Sequence, residues 1–478
     1  MKIKNQNLLQ QKAFCNGEWI DKKSKISVFN PADGSLIGKV PSLDVGDIKN
    51  VIDCAKTAFE KWKKLSGKER EKILKNWHKL ILENQEDLAI ILTSEQGKPL
   101  AEARGEISYA ASFVEWFAEE AKRIYGDVIL APKENQKIIT LREAVGVVAA
   151  ITPWNFPSAM ITRKAAAALA AGCSVIIKPS ELTPFSALAL AKLAEEAGFP
   201  QGVFNVVTGD PQIIGAEFCA NKKIRKLSFT GSTKIGKLLN AQCADDLKRI
   251  SLELGGSAPF IVFADADLDK AIAGLMHAKF RNGGQACTCV NRIFVEEKIH
   301  DEFLTKLLNE VKKIKVGNGF EDLVNMGPMI SDAAIKKVER LIDDALKQGA
   351  KCEIGGKKIS GKFFQPTVLS EVMPQMLVAQ EEIFGAVAAI QKFKSEEEVI
   401  KIANDTDYGL GSYIYTKDNG RIWRICDALE FGMVAVNECS FATEVAPFGG
   451  IKHSGMGREG SYLGIEEFCQ VKTLHISF

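Results

Sequence analysis

Three short stretches carry side chains whose types and spacing could do covalent chemistry. The segment FRNGGQACTCV puts Cys287 directly after a predicted helix and a Gly-Gly break. Glycine frees the backbone and lets a ligand come close, so a thiol there can be exposed and nucleophilic. A free cysteine is more commonly a small buried hydrophobe, and spacing alone leaves both readings open. LELGG places Glu253 at the C-terminal end of an apolar strand. Burial would raise its pKa and suit it to act as a general base, although a capping or ion-paired carboxylate fits the same pattern. TPWNFP puts Asn155 in a Pro-bounded loop. Its NH₂ group can donate to a developing oxyanion, or bond to its own backbone as loop asparagines do.

Two further junctions suit an anionic or hydroxylated ligand. FTGSTKIG reads as strand, turn and helix, with Gly231 at the turn and Ser232 and Thr233 at the helix start. Free N–H groups there favour phosphate, but the GxGxxG fingerprint is lacking and an ordinary capped turn fits as well. IIKPSE ends another strand with Lys178, Ser180 and Glu181. A carboxylate at such a place accepts from ribose hydroxyls and repels a 2′-phosphate; a solvated loop is the plainer reading.

The elements that must position these groups form an α/β series. Helical periodicity runs from about Val45 to Phe117, broken near Gly67 and Gly97. Between residues 145 and 265, apolar strands alternate with helices. One helix is predicted from Arg163 to Ala171, and another is opened by Thr183 as cap and Pro184 as first helical residue. Such alternation implies a parallel sheet covered on both faces, with ligands beyond the C-terminal strand ends. A second α/β series follows from about Ser257 to Asn437.

Composition narrows the partners. With 62 Lys+Arg against 60 Asp+Glu the net charge is +2, which gives no electrostatic case for nucleic acid or an anionic membrane. The most apolar run is interrupted by Arg163 and Lys164 and does not read as a membrane span. Eleven cysteines without a CxxC pair and five scattered histidines suggest reduced thiols, a cytoplasmic location and no metal site.

Taken in order, TPWNFP, IIKPSE, FTGSTKIG, LELGG, GQACTC, EEIFGA and PFGGIKHSGMGREG resemble the aldehyde dehydrogenase superfamily across almost the whole chain. The resemblance implies an α/β fold with a Rossmann-type cofactor domain (residues 1–122 and 143–252) and an α/β catalytic domain (253–447). A small β oligomerisation element (123–142 and 465–478) would build a homodimer or homotetramer. It also implies Cys287 as nucleophile, Glu253 as general base and Asn155 as oxyanion donor. Trp154, Lys178, Ser180, Glu181, Gly231, Ser232, Leu254, Glu382 and Phe384 would hold NAD or NADP, with Glu181 favouring NAD.

Within the superfamily the chain looks like the succinate-semialdehyde dehydrogenase subgroup, in which two arginines, here Arg163 and Arg281, clamp the distal carboxylate of the aldehyde. A serine of that subgroup is matched by Ala442, so Thr443 beside it would substitute, or the pocket would suit another aldehyde such as glutarate semialdehyde. Cys289 matches a subgroup thiol that forms a reversible inactivating disulfide with the nucleophile. The rival class is a thiol hydrolase without redox chemistry, which the dinucleotide motifs count against.

Overall fold

The alternation of apolar strands and helices produces the sheet it implies. In a computed structural model, which describes residues 2–441 and 443–478, five strands lie parallel. In spatial order they are Phe204–Val206, Ser174–Lys178, Val147–Ile151, Ile224–Thr230 and Arg249–Glu253. Their side chains are almost all buried, as expected where helices cover both faces. The chain steps outward from Val147–Ile151 in one direction, then returns to add Ile224–Thr230 on the other side. Strand order therefore reverses between these two strands, and a crevice opens beyond their C-terminal ends. Asn155 follows one of them and Gly231 the other.

The second series gives another sheet, ordered Lys351–Ile354, Thr367–Ser370, Val387–Phe393, Val290–Glu296, Ala258–Val262, Gly411–Tyr415 and Met433–Val436. Glu253 ends the last parallel strand of the first sheet, and Ala258 begins a central strand of the second. The short linker between them is glycine for a steric reason. A Cβ on Gly256 would stand 2.6 Å from the Cys287 carbonyl oxygen. The two lobes are also stitched by the strand Gly455–Met456, which returns to pair antiparallel with Leu252 and Glu253. A third sheet joins Gln136–Ala144 to Cys469–Ser477 along their full length, with Val128–Ile129 at its edge.

The N-terminal helices are Val45–Trp62, Gly67–Glu83, Gln85–Gln96 and Leu100–Glu120. Gly67 opens a helix instead of breaking one, because Ser66 and Glu69 form a reciprocal capping box in front of it. Gly97 does end its helix, with φ of 97°.

Two expectations about helix starts need correction, for the same reason. Thr183 occupies the cap position of Pro184–Ala197, but its side chain makes no capping bond. The buried carboxylate of Glu95 accepts instead from Phe185 N and Ser186 N, both at 2.7 Å. The helix predicted from Arg163 begins four residues earlier, at Ala159. There Glu106 accepts from Ser158 N at 2.9 Å and Ala159 N at 3.3 Å. Both caps come from helices distant in sequence, so no local pattern announces them.

Removing the Glu95 cap leaves two buried N–H groups without acceptors. Glu95→Ala is expected to lower stability by about 1–3 kcal/mol, and Thr183→Ala by less than about 0.5 kcal/mol, in urea unfolding. Equal effects would return the cap to Thr183.

Candidate active site

Cys287 lies at the meeting point of two cavities. One, of about 330 Å³, is lined by Tyr109, Phe156, Arg163, Arg281, Phe441 and Phe448 among others. The other, of about 260 Å³, is lined by Trp154, Asn155, Gly231, Ser232, Leu254, Glu382 and Phe384. The sulfur lines both, so it is reachable from two sides. The backbone that presents it is unusual. Asn282, Gly283 and Gly284 take positive φ values of 52°, 62° and 74°, which turn the chain sharply after the helix Leu268–Phe280. Tyr413 Oη donates to the Thr288 carbonyl at 2.9 Å and fixes the far side of the turn.

Burial pushes the Cys287 thiol up to about 12; Glu253 and Glu382 push the same way, and Arg163 and Arg281 oppose them. The thiol is therefore neutral at rest. Glu253 is also buried, and desolvation holds its pKa well above the carboxylate range, with the charge of Glu459 adding to the effect. Its Oε2 has no hydrogen-bond partner. An acceptor with a spare lone pair at the end of a strand can hold a water molecule.

Asn155 is buried, and its Nδ2 donates to the Gln285 carbonyl at 3.1 Å. A carboxamide nitrogen carries two hydrogens, so one remains for an oxyanion.

Arg163 is 2% exposed. Its guanidinium lies 4.1 Å from the centre of the Phe448 ring and 5.1 Å from that of Phe113. Nε stands 2.8 Å from Glu459 Oε2 at an angle outside hydrogen-bond range, and Nη2 has no partner. Lys164, equally buried, pairs with the other Glu459 oxygen. Burial alone would raise Glu459, but Lys164 and Arg163 outweigh it and keep that carboxyl below its usual range. Arg281 is 5.3 Å from the Phe156 ring centre. Among the described residues it has no ion pair. Two guanidiniums with unused donors thus face one cavity.

The second cavity fits a nicotinamide dinucleotide in its chemistry. It lies at the strand-order reversal. Ser232 caps the helix Thr233–Ala244 by accepting from Ile235 N, and Gly231 and Ser232 line the cavity. Trp154 and Phe384 meet edge to face at 5.6 Å, and with Leu254 they supply apolar walls. Glu382 accepts from Gly256 N at 3.0 Å through one oxygen, leaving the other for a hydroxyl. Ala334 and Lys337 of the helix Asp332–Lys347 also line it, and nothing in the sequence reading singled them out.

Not every expected residue arrives where its motif suggested. Lys178, Ser180 and Glu181 do not line this cavity. Lys178 Nζ donates to Glu181 Oε2 at 3.0 Å, and the Ser180 hydroxyl accepts from Leu182 N at 3.2 Å. Thr443 does not line the first cavity; its hydroxyl accepts from Val445 N at 3.4 Å, and Ser440 reaches the cavity wall. Ala442 lies outside the described residues. Cys289 is buried, and Lys279 Nζ donates to its sulfur at 3.4 Å. Both thiols are free.

A thiol shared by two cavities, an amide donor lining the groove at the strand-order reversal and a buried carboxylate whose charge acts on the thiol suit a cysteine-dependent oxidoreductase. A sequence profile of the aldehyde dehydrogenase family matches residues 19–474, and the chain belongs to that family. It is 53% identical over 479 residues to glutarate-semialdehyde dehydrogenase of Pseudomonas putida, with 100% of each chain covered. It is also 53% identical to the NADP(+) succinate-semialdehyde dehydrogenase of Escherichia coli, again with 100% of each covered. Among solved structures, an aldehyde dehydrogenase from Brucella melitensis biovar abortus superposes with a TM-score of 0.99 at 56% identity, covering 100% of this chain and 99% of that one.

A neutral resting thiol sets the expected labelling. Alkylation of Cys287 by iodoacetamide in the protein without cofactor should be slow at pH 7.5 and rise about tenfold per pH unit up to at least pH 9.5, with Cys289 unlabelled by mass spectrometry. A plateau below pH 8 would contradict the raised pKa.

Proposed function

We propose that this protein oxidises an aldehyde bearing a distal carboxylate, succinate semialdehyde first, to the corresponding acid, with a nicotinamide dinucleotide as electron acceptor. The observation that carries this is the shared sulfur. Cys287 lines both the groove at the strand-order reversal and a second cavity, which Arg163, whose Nη2 has no partner, and Arg281 also line. Guanidinium suits bidentate binding of carboxylate. Glutarate semialdehyde, one methylene longer, is the second reading, because the Pseudomonas putida relative is named for it at equal identity.

The chain's own residues divide the work. The carboxylate of the substrate docks on Arg163 and Arg281, which aims the aldehyde carbon at Cys287. Sγ adds to that carbon as its proton passes through water to the Glu253 carboxylate, which releases it to solvent before hydrolysis, and Asn155 Nδ2 donates to the oxygen that becomes negative. Such a donor typically contributes about 3–4 kcal/mol in the transition state. A nicotinamide dinucleotide bound between Trp154, Gly231, Ser232, Leu254, Glu382 and Phe384 supplies the acceptor for the hydride that departs. The thioester left on Cys287 is hydrolysed by a water that Glu253 activates through Oε2, and the free acid leaves.

The choice of coenzyme follows local charge. Glu181 alone would disfavour a 2′-phosphate. Its ion pair with Lys178 offsets that charge, and the Escherichia coli relative is named for NADP(+). Both coenzymes are therefore substrates in this reading, in place of the simple NAD preference drawn from Glu181. Assembly follows exposed surface. Val128, Leu130, Val471 and Phe478 are largely exposed on or beside the third sheet, which makes residues 123–142 and 465–478 the contact with further copies. Eleven free thiols suit a reducing cytoplasm.

Arg163→Ala is expected to raise KM for succinate semialdehyde at least about tenfold and for an uncharged aldehyde of similar length less than about threefold. Equal changes would remove Arg163 from carboxylate recognition. Glu253→Gln should give a burst of reduced coenzyme in the first turnover and then a steady rate lowered about 100-fold or more. A linear trace at the unmodified rate would assign the base elsewhere.

A further inference from the structure

At the wall of the first cavity, which Glu106 helps to line, lies a fully buried ion pair that the reaction described so far does not use. Lys98 Nζ and Glu106 Oε2 are 2.6 Å apart, with side chains 0% and 1% exposed. Burying two charges is costly even when they pair, and apolar side chains would fill the same space without that cost. What the pair touches gives it a purpose. Lys98 Nζ also donates to the main-chain oxygen of Asn155 at 2.8 Å and sits 3.8 Å from the centre of the neighbouring Phe156 ring. The second oxygen of Glu106 caps the helix that carries Arg163, through Ser158 N and Ala159 N.

A second donor converges on the same oxygen. Asn282 Nδ2 bonds to Asn155 O and to Gln285 O, both at 3.1 Å. Gln96 Nε2 donates to Asn282 Oδ1 at 2.9 Å, and Gln96 Oε1 accepts from Lys98 N at 2.8 Å. Gln285 O is the group to which Asn155 itself donates, two residues before Cys287. One continuous network therefore runs from the N-terminal helices through Lys98 and Asn282 to both the oxyanion amide and the nucleophile loop.

We infer that Lys98, with Asn282, is a positioning residue for the oxidation: by clamping the Asn155 main-chain oxygen it holds the Asn155 side-chain amide at the point where the oxyanion forms beside Cys287. This rests on the reading of Asn155 as oxyanion donor. Misplacement of a catalytic donor by about an ångström costs on the order of 100-fold in rate. A residue that acts only through Asn155 has nothing left to contribute once that amide is gone.

The test is a double-variant cycle on the full-length protein with succinate semialdehyde and excess coenzyme. Lys98→Met is expected to lower kcat by about 10- to 100-fold with KM changed less than about threefold. Fluorescence titration should give the same Kd for reduced coenzyme as the unmodified protein. Asn155→Ala should lower kcat by about 100- to 1000-fold. Adding Lys98→Met to Asn155→Ala should slow it by no more than about threefold, because coupled residues are not additive. Losses that multiply would overturn the positioning role while leaving the oxyanion donor in place. An unimpaired Asn155→Ala would instead overturn the oxyanion reading itself. If Lys98→Met does not fold, Asn282→Gly decides by the same cycle, since glycine accepts the φ of 52° and removes only the amide. Additivity there is the overturning result.

Discussion

The structure depends on desolvation at one place, the junction of the two lobes. Cys287 and Glu253 are both deprived of water, which raises the proton affinity of each. A resting site with a neutral thiol is protected against the side reactions of a standing thiolate. It also means that any charge brought close to the sulfur would change the site, as Arg163 and Arg281 already oppose the effect of burial on the thiol. The burial is built by packing of the two sheets. Glu253 ends one, Ala258 begins the other, and Gly256 is small enough to let the Cys287 backbone close over the linker.

The groups that perform covalent work were legible because each sits at a break in a local pattern. Cys287 follows a Gly-Gly turn, Glu253 ends an apolar strand and Asn155 lies between two prolines; Asn155 and Cys287 line one cavity, and the charge of Glu253 acts on the Cys287 thiol. The groove was legible in part, because the strand–helix alternation fixes where strand order reverses. Gly231 and Ser232 lie there, whereas Lys178, Ser180 and Glu181, one strand further out, do not line it.

The partners that hold these groups were not legible. Glu459, Glu106, Glu95 and Lys337 each act on residues far away in sequence, so no window contains both members. A signal did exist for one of these sets. Arg163 and Lys164 interrupt an alanine-rich helix in which all thirteen residues are buried. Charges inside such a helix demand partners or a function. Both residues excluded a membrane span, and the family resemblance gave Arg163 a role as carboxylate clamp, but the role of Lys164 and the shared partner Glu459 went unnoticed. The serine at the cavity wall was missed for a different reason. Ser440 is placed there by the path of its loop, and motif alignment pointed instead to Ala442 and Thr443.

The short antiparallel return of Gly455–Met456 to the edge of the first sheet has a consequence for traffic. Ladder pairs at Leu252 and Glu253, with Leu254 N bonded to Ser454 O at 2.9 Å, tie the lobes together beside the base. A clam-shell opening would tear this seam and drag Glu253 with it. Any passage of ligands that leaves this seam intact must use movements smaller than a parting of the two lobes.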